Sequence, residues 1–274
     1  LPTYQSAYLK THYPAAFIAG VLTHDPGMYP KRLMIDEARQ LGVGLAPLDI
    51  NFSSRHYTVE RNSAGGYSVR IALSSISGIS DAEIDSIIAG RPYLDLADFF
   101  TRSGASHPII ESLILTGAFD QVHGIGEKNL NHRDLLLHLS DLTRSPAKNI
   151  SGSQMVFGFM PPALAASGLP AMGAAEKVRN EVERLGMDIT HHMLEFYAPF
   201  LNAIGAVKSS DLLSLRSHSE VLVAGVKVAM QTPPVRSGRR VIFLTLDDGY
   251  GCTDSTFFSD AQEGFASTLY RTSL

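Results

Sequence analysis

"SGISDAEIDSII", residues 77–88, returns in altered form as "SGASHPIIESLI" at residues 103–114. At an offset of 26 residues, Ser77, Gly78, Ser80, Ile84, Ser86 and Ile88 meet Ser103, Gly104, Ser106, Ile110, Ser112 and Ile114. In each copy a serine, Ser80 or Ser106, stands where an N-cap belongs. The helix that follows has its apolar positions at Ile84, Ile87 and Ile88, or at Ile110, Leu113 and Ile114. Ser80 with Glu83 completes a capping box. Gly78 and Gly104 precede the caps by two residues, where a sharp reversal needs φ > 0 or a close backbone approach. Each unit therefore reads as a tight turn that points free backbone N–H groups outward from a helix start, a place that suits an anion such as phosphate. Helical hairpins also recur simply because they pack well, so the repeat alone leaves both readings open.

Composition bounds the rest. The chain of 274 residues, 45% hydrophobic, has room for two or three modest domains and is not of disordered composition. A single cysteine, Cys252, excludes a disulfide framework and a multi-cysteine zinc site, and fits a reducing cytosol. No apolar run approaches the ~20 residues of a bilayer span, and the opening "LPTYQSAYLK" lacks the layout of a signal peptide. A soluble, cytoplasmic protein with no membrane contact is expected. The net charge of −4 argues against a surface that is basic throughout, so any contact with nucleic acid must come from local patches.

Outward from the repeat, Tyr4 to Thr23 reads as two helical pieces punctuated by Pro14. No N-cap precedes Tyr4, and the chain is expected to start inside a helix of a longer parent. "YPKRLMIDEARQLGV" is a three-turn helix with Met34, Ala38 and Leu41 on one face and Gly42 as its stop. "VGLAPLDIN" and "GYSVRIAL" read as short strands. Beyond the repeat, "NLNHRDLLLHLSDL" is a helix with Leu135, Leu136 and Leu139 on one face. Residues 145–175 are rich in Ser, Gly, Pro and Ala and read as a connector holding one apolar island, "QMVFGF". The charged helix "AAEKVRNEVERLGM" stops at Gly186, and after Glu220 the pattern is strand, basic loop, strand, turn, strand.

Candidate chemistry is sparse. Arg236, Arg239 and Arg240 crowd a loop beside Phe243, an arrangement suited to single-stranded nucleic acid, with cations for phosphate and a ring for stacking. The plainer reading is a solvated hairpin tip. "HGIGEKN", residues 123–129, carries a lone Gly-x-Gly that is discounted because no apolar face follows until Leu135. The ten histidines are scattered, and His191 and His192, being adjacent, cannot face one metal from the same side of a helix, so no metal site is expected. Asp247, Asp248 and Asp254 read as hairpin chemistry. No nucleophile elbow, Walker loop or His-Glu-x-x-His motif occurs, and no catalytic residues are assigned.

The order of parts has a counterpart. "AYLKTHYPAAFIAGVLT", "VRIALSSISGISDAEIDSIIAGRPYLDLADFFTRSG", "LILTGAFD", "ERLGMDITHHMLEFYAPFLNAIGA" and "VLVAGVKVAMQTPPVRSGRRVIFLTLDD" together resemble the C-terminal half of bacterial C-family DNA polymerases, the alpha subunit of polymerase III. Among these the chain is most similar to the error-prone branch found in actinobacteria. The resemblance spans nearly the whole chain, with Leu-Thr-Gly-Ala-Phe-Asp at 115–120 its most specific marker. It implies a mainly α fold with α+β elements: the end of a fingers domain at 1–66, a tandem helix-hairpin-helix at 67–143, a connector at 144–175, a helical linker at 176–218 and a truncated OB-type barrel at 219–274.

The resemblance further implies that Gly78, Ile79 and Ser80 with Gly104, Ala105 and Ser106 grip both backbones of duplex DNA. It also implies that Arg236, Arg239, Arg240 and Phe243 meet single-stranded DNA. Gln154, Met155, Phe157 and Phe159 fit the family's peptide for a sliding clamp, beside the alternative of a loop pinned by its own phenylalanines. The parent activity is template-directed DNA synthesis in replication, repair and translesion synthesis. Its catalytic aspartates, and with them Mg²⁺, belong to a palm domain preceding everything here, so this chain is expected to hold no cofactor and not to polymerise alone. The chain departs from the family where the second hairpin glycine is Ser80 or Ser106. A different class remains open beside it: a non-catalytic repair or scaffold module that uses the hairpins for protein contacts.

Overall fold

The computed structural model describes residues 2–25, 27, 30–127, 129–144, 163–233 and 240–271. Pro14 opens the second of two short helices, α1 (Pro2–His12) and α2 (Pro14–His24). Its ring fixes φ and its missing N–H would be unbonded there in any case. α2 buries Ala15, Ile18, Ala19 and Leu22, the i, i+3, i+4, i+7 stripe of a core-facing helix. α3 (Lys31–Gln40) stops as expected before Gly42, whose φ of 70° only glycine adopts freely. Of the expected Met34, Ala38 and Leu41, the first two do pack on the core and Leu41 does not. Ile35, Asp36 and Ala38 are buried while Leu41 is exposed, because Asp36 is drawn inward by polar partners that apolar spacing cannot register.

Three short strands form a mixed sheet in the order β1 (Gly44–Ala46), β3 (Tyr67–Arg70), β2 (Thr58–Arg61), with β1 parallel and β2 antiparallel to β3. β2 is not foreshadowed by the sequence. It is an edge strand with Val59 exposed, so no buried apolar alternation marks it. The expected boundary between residues 66 and 67 falls inside this sheet.

The repeat folds as a three-residue 3₁₀ turn (Leu73–Ser75) leading into α4 (Asp81–Ala89), then α5 (Leu96–Arg102) leading into α6 (His107–Leu115). α7 (Asp120–His123) and α8 (His132–Arg144) follow. Between α6 and α7 the stretch Leu-Thr-Gly-Ala-Phe-Asp makes a compact reversal. Gly117 sits at φ 81°, the Ala118 carbonyl accepts from Ile50 N–H at 3.0 Å, and the Phe119 ring is fully buried. Phe119 meets Phe99 edge-on at 5.1 Å, and Phe99 meets Tyr93 at 4.7 Å, a chain of aromatic contacts through the middle of the hairpins. One apolar core runs without a break from Ala15 on α2 to Met187, through the sheet, both hairpins and α8.

α9 (Ala174–Leu185), closed by Gly186 in the left-handed region, is pinned to α8 by a forked Arg133–Glu176 pair at 2.8 and 3.0 Å. A 3₁₀ turn (Met193–Tyr197) and α10 (Ala198–Ala203) lead to an antiparallel meander. The meander comprises β4 (Val226–Gln231), β5 (Ile242–Asp247) and β6 (Cys252–Phe257), with a bulge between Lys227 and Ala229 and α11 (Ser259–Arg271) behind it. The strand expected from residue 220 begins only at Val226.

Phe119→Ala is expected to destabilise the chain by about 3–5 kcal/mol, because a fully buried ring leaves a cavity. Phe243→Ala, on the exposed face of β5, should stay within about 0.5 kcal/mol. Urea midpoints at constant slope measure both, and equal shifts would contradict the packing described.

Candidate nucleic-acid interface

Both hairpin turns are built on glycine geometry, Gly78 at φ 81° and Gly104 at φ 66°. A Cβ at Gly104 would stand 3.4 Å from Ser86 Oγ on α4, so the second hairpin lies directly against the first. The residue that joins them is Glu83. Its Oε2 accepts from Ser80 N–H (3.0 Å) and Ser80 Oγ (2.8 Å), closing the expected capping box, while its Oε1 accepts from Ser106 N–H (2.9 Å). One carboxylate thus caps the starts of both α4 and α6. Burial pushes the Glu83 carboxyl up, but the N–H and hydroxyl groups of Ser106 and Ser80 outweigh burial and hold it at about 2.

This corrects the expectation of free N–H groups at the turns. Besides Ser80 and Ser106, Ile79 N–H donates to Ile76 O (3.3 Å) and Ala105 N–H to Ser103 Oγ (3.2 Å). Of the six turn residues expected to meet duplex DNA, Gly78 and Gly104 are the two whose N–H groups are not committed in these hydrogen bonds. The Ser106 side chain makes no capping bond within α6, and its N–H is taken by Glu83. The two turns also differ in charge. α4 carries Asp81 and Glu83 in its first turn, and Arg55 bridges Asp81 and Asp85, whereas α6 has no acidic residue in its first turn and exposes His107 there. Across residues 67–143 acidic side chains outnumber basic ones.

At the meander, Arg240 is exposed two residues before β5, its carbonyl accepting from Gln262 Nε2 (2.8 Å), and the Phe243 ring on β5 is 43% exposed. Arg236 and Arg239 lie outside the described residues, as do Gln154, Met155, Phe157 and Phe159. The discounted Gly-x-Gly places Gly124 and Gly126 at φ 64° and 94°, with Gly124 closing α7, and α8 begins only at His132. Asp248 and Asp254 do serve the hairpin. Asp248 accepts from Tyr250 and Gly251 N–H (3.0 and 3.1 Å), and Asp254 from Thr245 Oγ1 (2.6 Å). Asp247 serves the hairpin with one oxygen, Oδ1 accepting from Gly249 N–H (2.9 Å), and turns the other inward to meet His192 and Asp36, a cluster that sequence reasoning missed because its members come from three distant parts of the chain. The bond from Glu83 to Ser106 was missed for the same reason, although the capping box marked its other half.

Paired glycine turns, each opening a helix and locked to one another, define the helix-hairpin-helix class, and the family model described as "Helix-hairpin-helix motif" matches residues 42–129. The chain is 32% identical to an error-prone DNA polymerase of Symbiobacterium thermophilum over 97% of its own length and 28% of the relative's. It is 30% identical to the error-prone DNA polymerase of Bdellovibrio bacteriovorus over 100% of the chain and 26% of that protein. With a DNA polymerase III subunit alpha of Vibrio cholerae it shares 28% identity over 98% of the chain and 24% of the subunit. Over nearly its whole length the chain is therefore homologous to error-prone DNA polymerases and DNA polymerase III alpha subunits, and it spans about a quarter of the length of these relatives. Among the described residues no helix is long and apolar enough to cross a membrane.

A carboxyl held below its ordinary range stabilises the fold at pH above its unfolded value and loses that contribution as pH falls through the folded one. For Glu83 the window runs from about 4.5 down to about 2. The stability gap between the wild-type chain and Glu83→Gln is accordingly expected to be widest above pH ~4.5 and to close toward pH ~2. Urea unfolding at a series of pH values checks this, and a gap independent of pH would show that the carboxylate does not bridge the turns.

Proposed function

We propose that this chain is a DNA-gripping portion of an error-prone C-family DNA polymerase, holding duplex DNA behind the primer end without reading its sequence. The observation that carries the reading is the locked pair of glycine turns. Gly78 and Gly104 place two uncommitted N–H groups at the tips of one rigid unit, within a segment that matches the helix-hairpin-helix motif. Neutral backbone donors meet phosphate and leave base edges unread. On this reading residues 1–66 are the end of a fingers domain and the meander from β4 to β6 is part of an OB-type barrel. Its Arg236, Arg239 and Arg240, with Phe243, track single-stranded template. Gln154, Met155, Phe157 and Phe159 dock on a sliding clamp, the site of action is the bacterial cytoplasm, and damage bypass is the task of the whole polymerase. Polymerisation and Mg²⁺ binding lie with the palm and not with this chain.

A second reading, in which the hairpins contact protein, is favoured by the acidic excess of residues 67–143. His107→Glu separates the two. An acidic residue in the first turn strengthens α6, so folding is preserved, while the new charge repels phosphate. Fluorescence anisotropy with a random-sequence duplex is expected to show several-fold weaker binding for the variant and a salt slope shallower by about 0.9 for each phosphate it no longer neutralises. Unchanged affinity in the folded variant, or no duplex binding by the folded wild type, would overturn the DNA-gripping reading. For the connector, a peptide covering residues 151–161 is expected to bind a bacterial clamp with a Kd in the micromolar range, about −8 kcal/mol. Calorimetry should show no binding after Phe157→Ala or Gln154→Ala, and retention by both variants would remove the island as the anchor.

A further inference from the structure

Asp36 on α3, His192 at the entry to the 3₁₀ turn and Asp247 at the end of β5 converge where the hairpin core meets the meander, and they are 2%, 4% and 1% exposed. His192 Nε2 stands 3.6 Å from Asp247 Oδ2 and 3.9 Å from Asp36 Oδ2, too far for hydrogen bonds, yet the three atoms lie within 4.8 Å of one another. Each carboxylate is oriented by its other oxygen: Asp36 Oδ1 accepts from Arg39, and Asp247 Oδ1 from Gly249 N–H at 2.9 Å. Both Oδ2 atoms are buried with no hydrogen-bond partner, so two oriented carboxylates aim bare oxygens at the same spot. The imidazole is held against them by Gly249, where a Cβ would stand 2.7 Å from the ring.

Beside them the buried Asp188, whose backbone carbonyl accepts from the same Arg39, has an Oδ1 that also lacks a partner. Bare oxygens and an imidazole nitrogen converging on one buried point are what a cation satisfies.

We propose that this junction binds one divalent transition-metal ion of the zinc class through Asp36 Oδ2, His192 Nε2 and Asp247 Oδ2. A mixed imidazole and carboxylate set suits such an ion over Mg²⁺. With bonds of about 2.0–2.1 Å the donors of a tetrahedral site stand roughly 3.3 Å apart, so the observed separations close by a few tenths of an ångström to over half an ångström on binding. Nδ1 accepts a long bond from Leu194 N–H at 3.3 Å. Ligation through Nε2 shifts the ring proton to Nδ1 and releases that bond. The ion is structural: it cross-links α3, the entry to the 3₁₀ turn and β5. The competing occupant is a proton shared by the two carboxylates.

The test uses the 274-residue chain, stripped with a chelator and titrated with Zn²⁺ or Mg²⁺. One bound zinc per chain is expected, with a rise in Tm of roughly 5–10 °C at zinc a hundredfold above Kd and no rise with Mg²⁺. Asp36→Asn and Asp247→Asn should each abolish the zinc shift, and Cys252→Ser should keep it. No zinc bound by the wild type, or a shift that survives both Asn variants, overturns the proposal and leaves the shared proton. Should neither Asn variant fold, X-ray absorption of the zinc-loaded wild type decides. A nitrogen and oxygen shell with one imidazole supports the site, and a sulfur shell or several imidazoles overturn it.

Discussion

Two helix starts set side by side repel through the positive ends of their dipoles unless an anion stands between them, and Glu83 is that anion. The arrangement of the hairpins follows from it. With one oxygen committed to Ser80 and the other to Ser106, α4 and α6 are held at a fixed spacing, close enough for Gly104 to lie against Ser86. The pair is then braced from behind by α9. Its last turn accepts Ser77 N–H on the Arg184 carbonyl (2.8 Å), while the Arg184 side chain reaches Ser112 Oγ (2.7 Å) and Glu111. A unit fixed by charge-assisted bonds on one side and by a helix on the other presents its tips as a rigid body.

The meander is attached differently. The continuous apolar core stops at Met187, and what joins it to β4 and β5 is largely polar. Arg32 on α3 donates to the Lys227 carbonyl (2.7 Å), Arg39 donates to the carbonyls of Asp188 and Ile189 (2.8 Å each), and Asp36 faces His192 and Asp247. Polar contacts fix orientation more than they stabilise, because each replaces a bond to water. α3 therefore acts as a strut that aims the meander relative to the hairpins.

What was legible in the sequence was local. The repeat, the Ser80–Glu83 box, Pro14 opening α2, and Gly42 and Gly186 closing helices all depend on residues within four positions of one another, the range over which side-chain pattern and backbone geometry are coupled. What was not legible depends on distant pairings. β2 has no buried alternation because its outer face is solvent. Asp36 turns inward toward a histidine and an aspartate some 150 and 210 positions away, so periodicity finds Met34 and Ala38 on the core side of α3 but misses Asp36 beside them. Glu83 reads as half of a local motif, while its second oxygen is committed to the other copy of the repeat.

The sign of the local charge constrains how such hairpins can hold DNA at all. Affinity for a duplex comes mainly from cations that displace condensed counterions, and neutral N–H groups displace few. In a segment where carboxylates outnumber cations, neutral tips such as Gly78 and Gly104 can offer only short-range, geometrically specific contacts, with little attraction at a distance. Contacts of that kind become effective only when other parts of a protein have already brought the duplex within reach, since the ordering cost of association is then met elsewhere. Under the proposed function, a weak and well-positioned grip would also release the duplex readily, so acidic surroundings and the Glu83 lock are compatible with duplex contact that trades affinity for position.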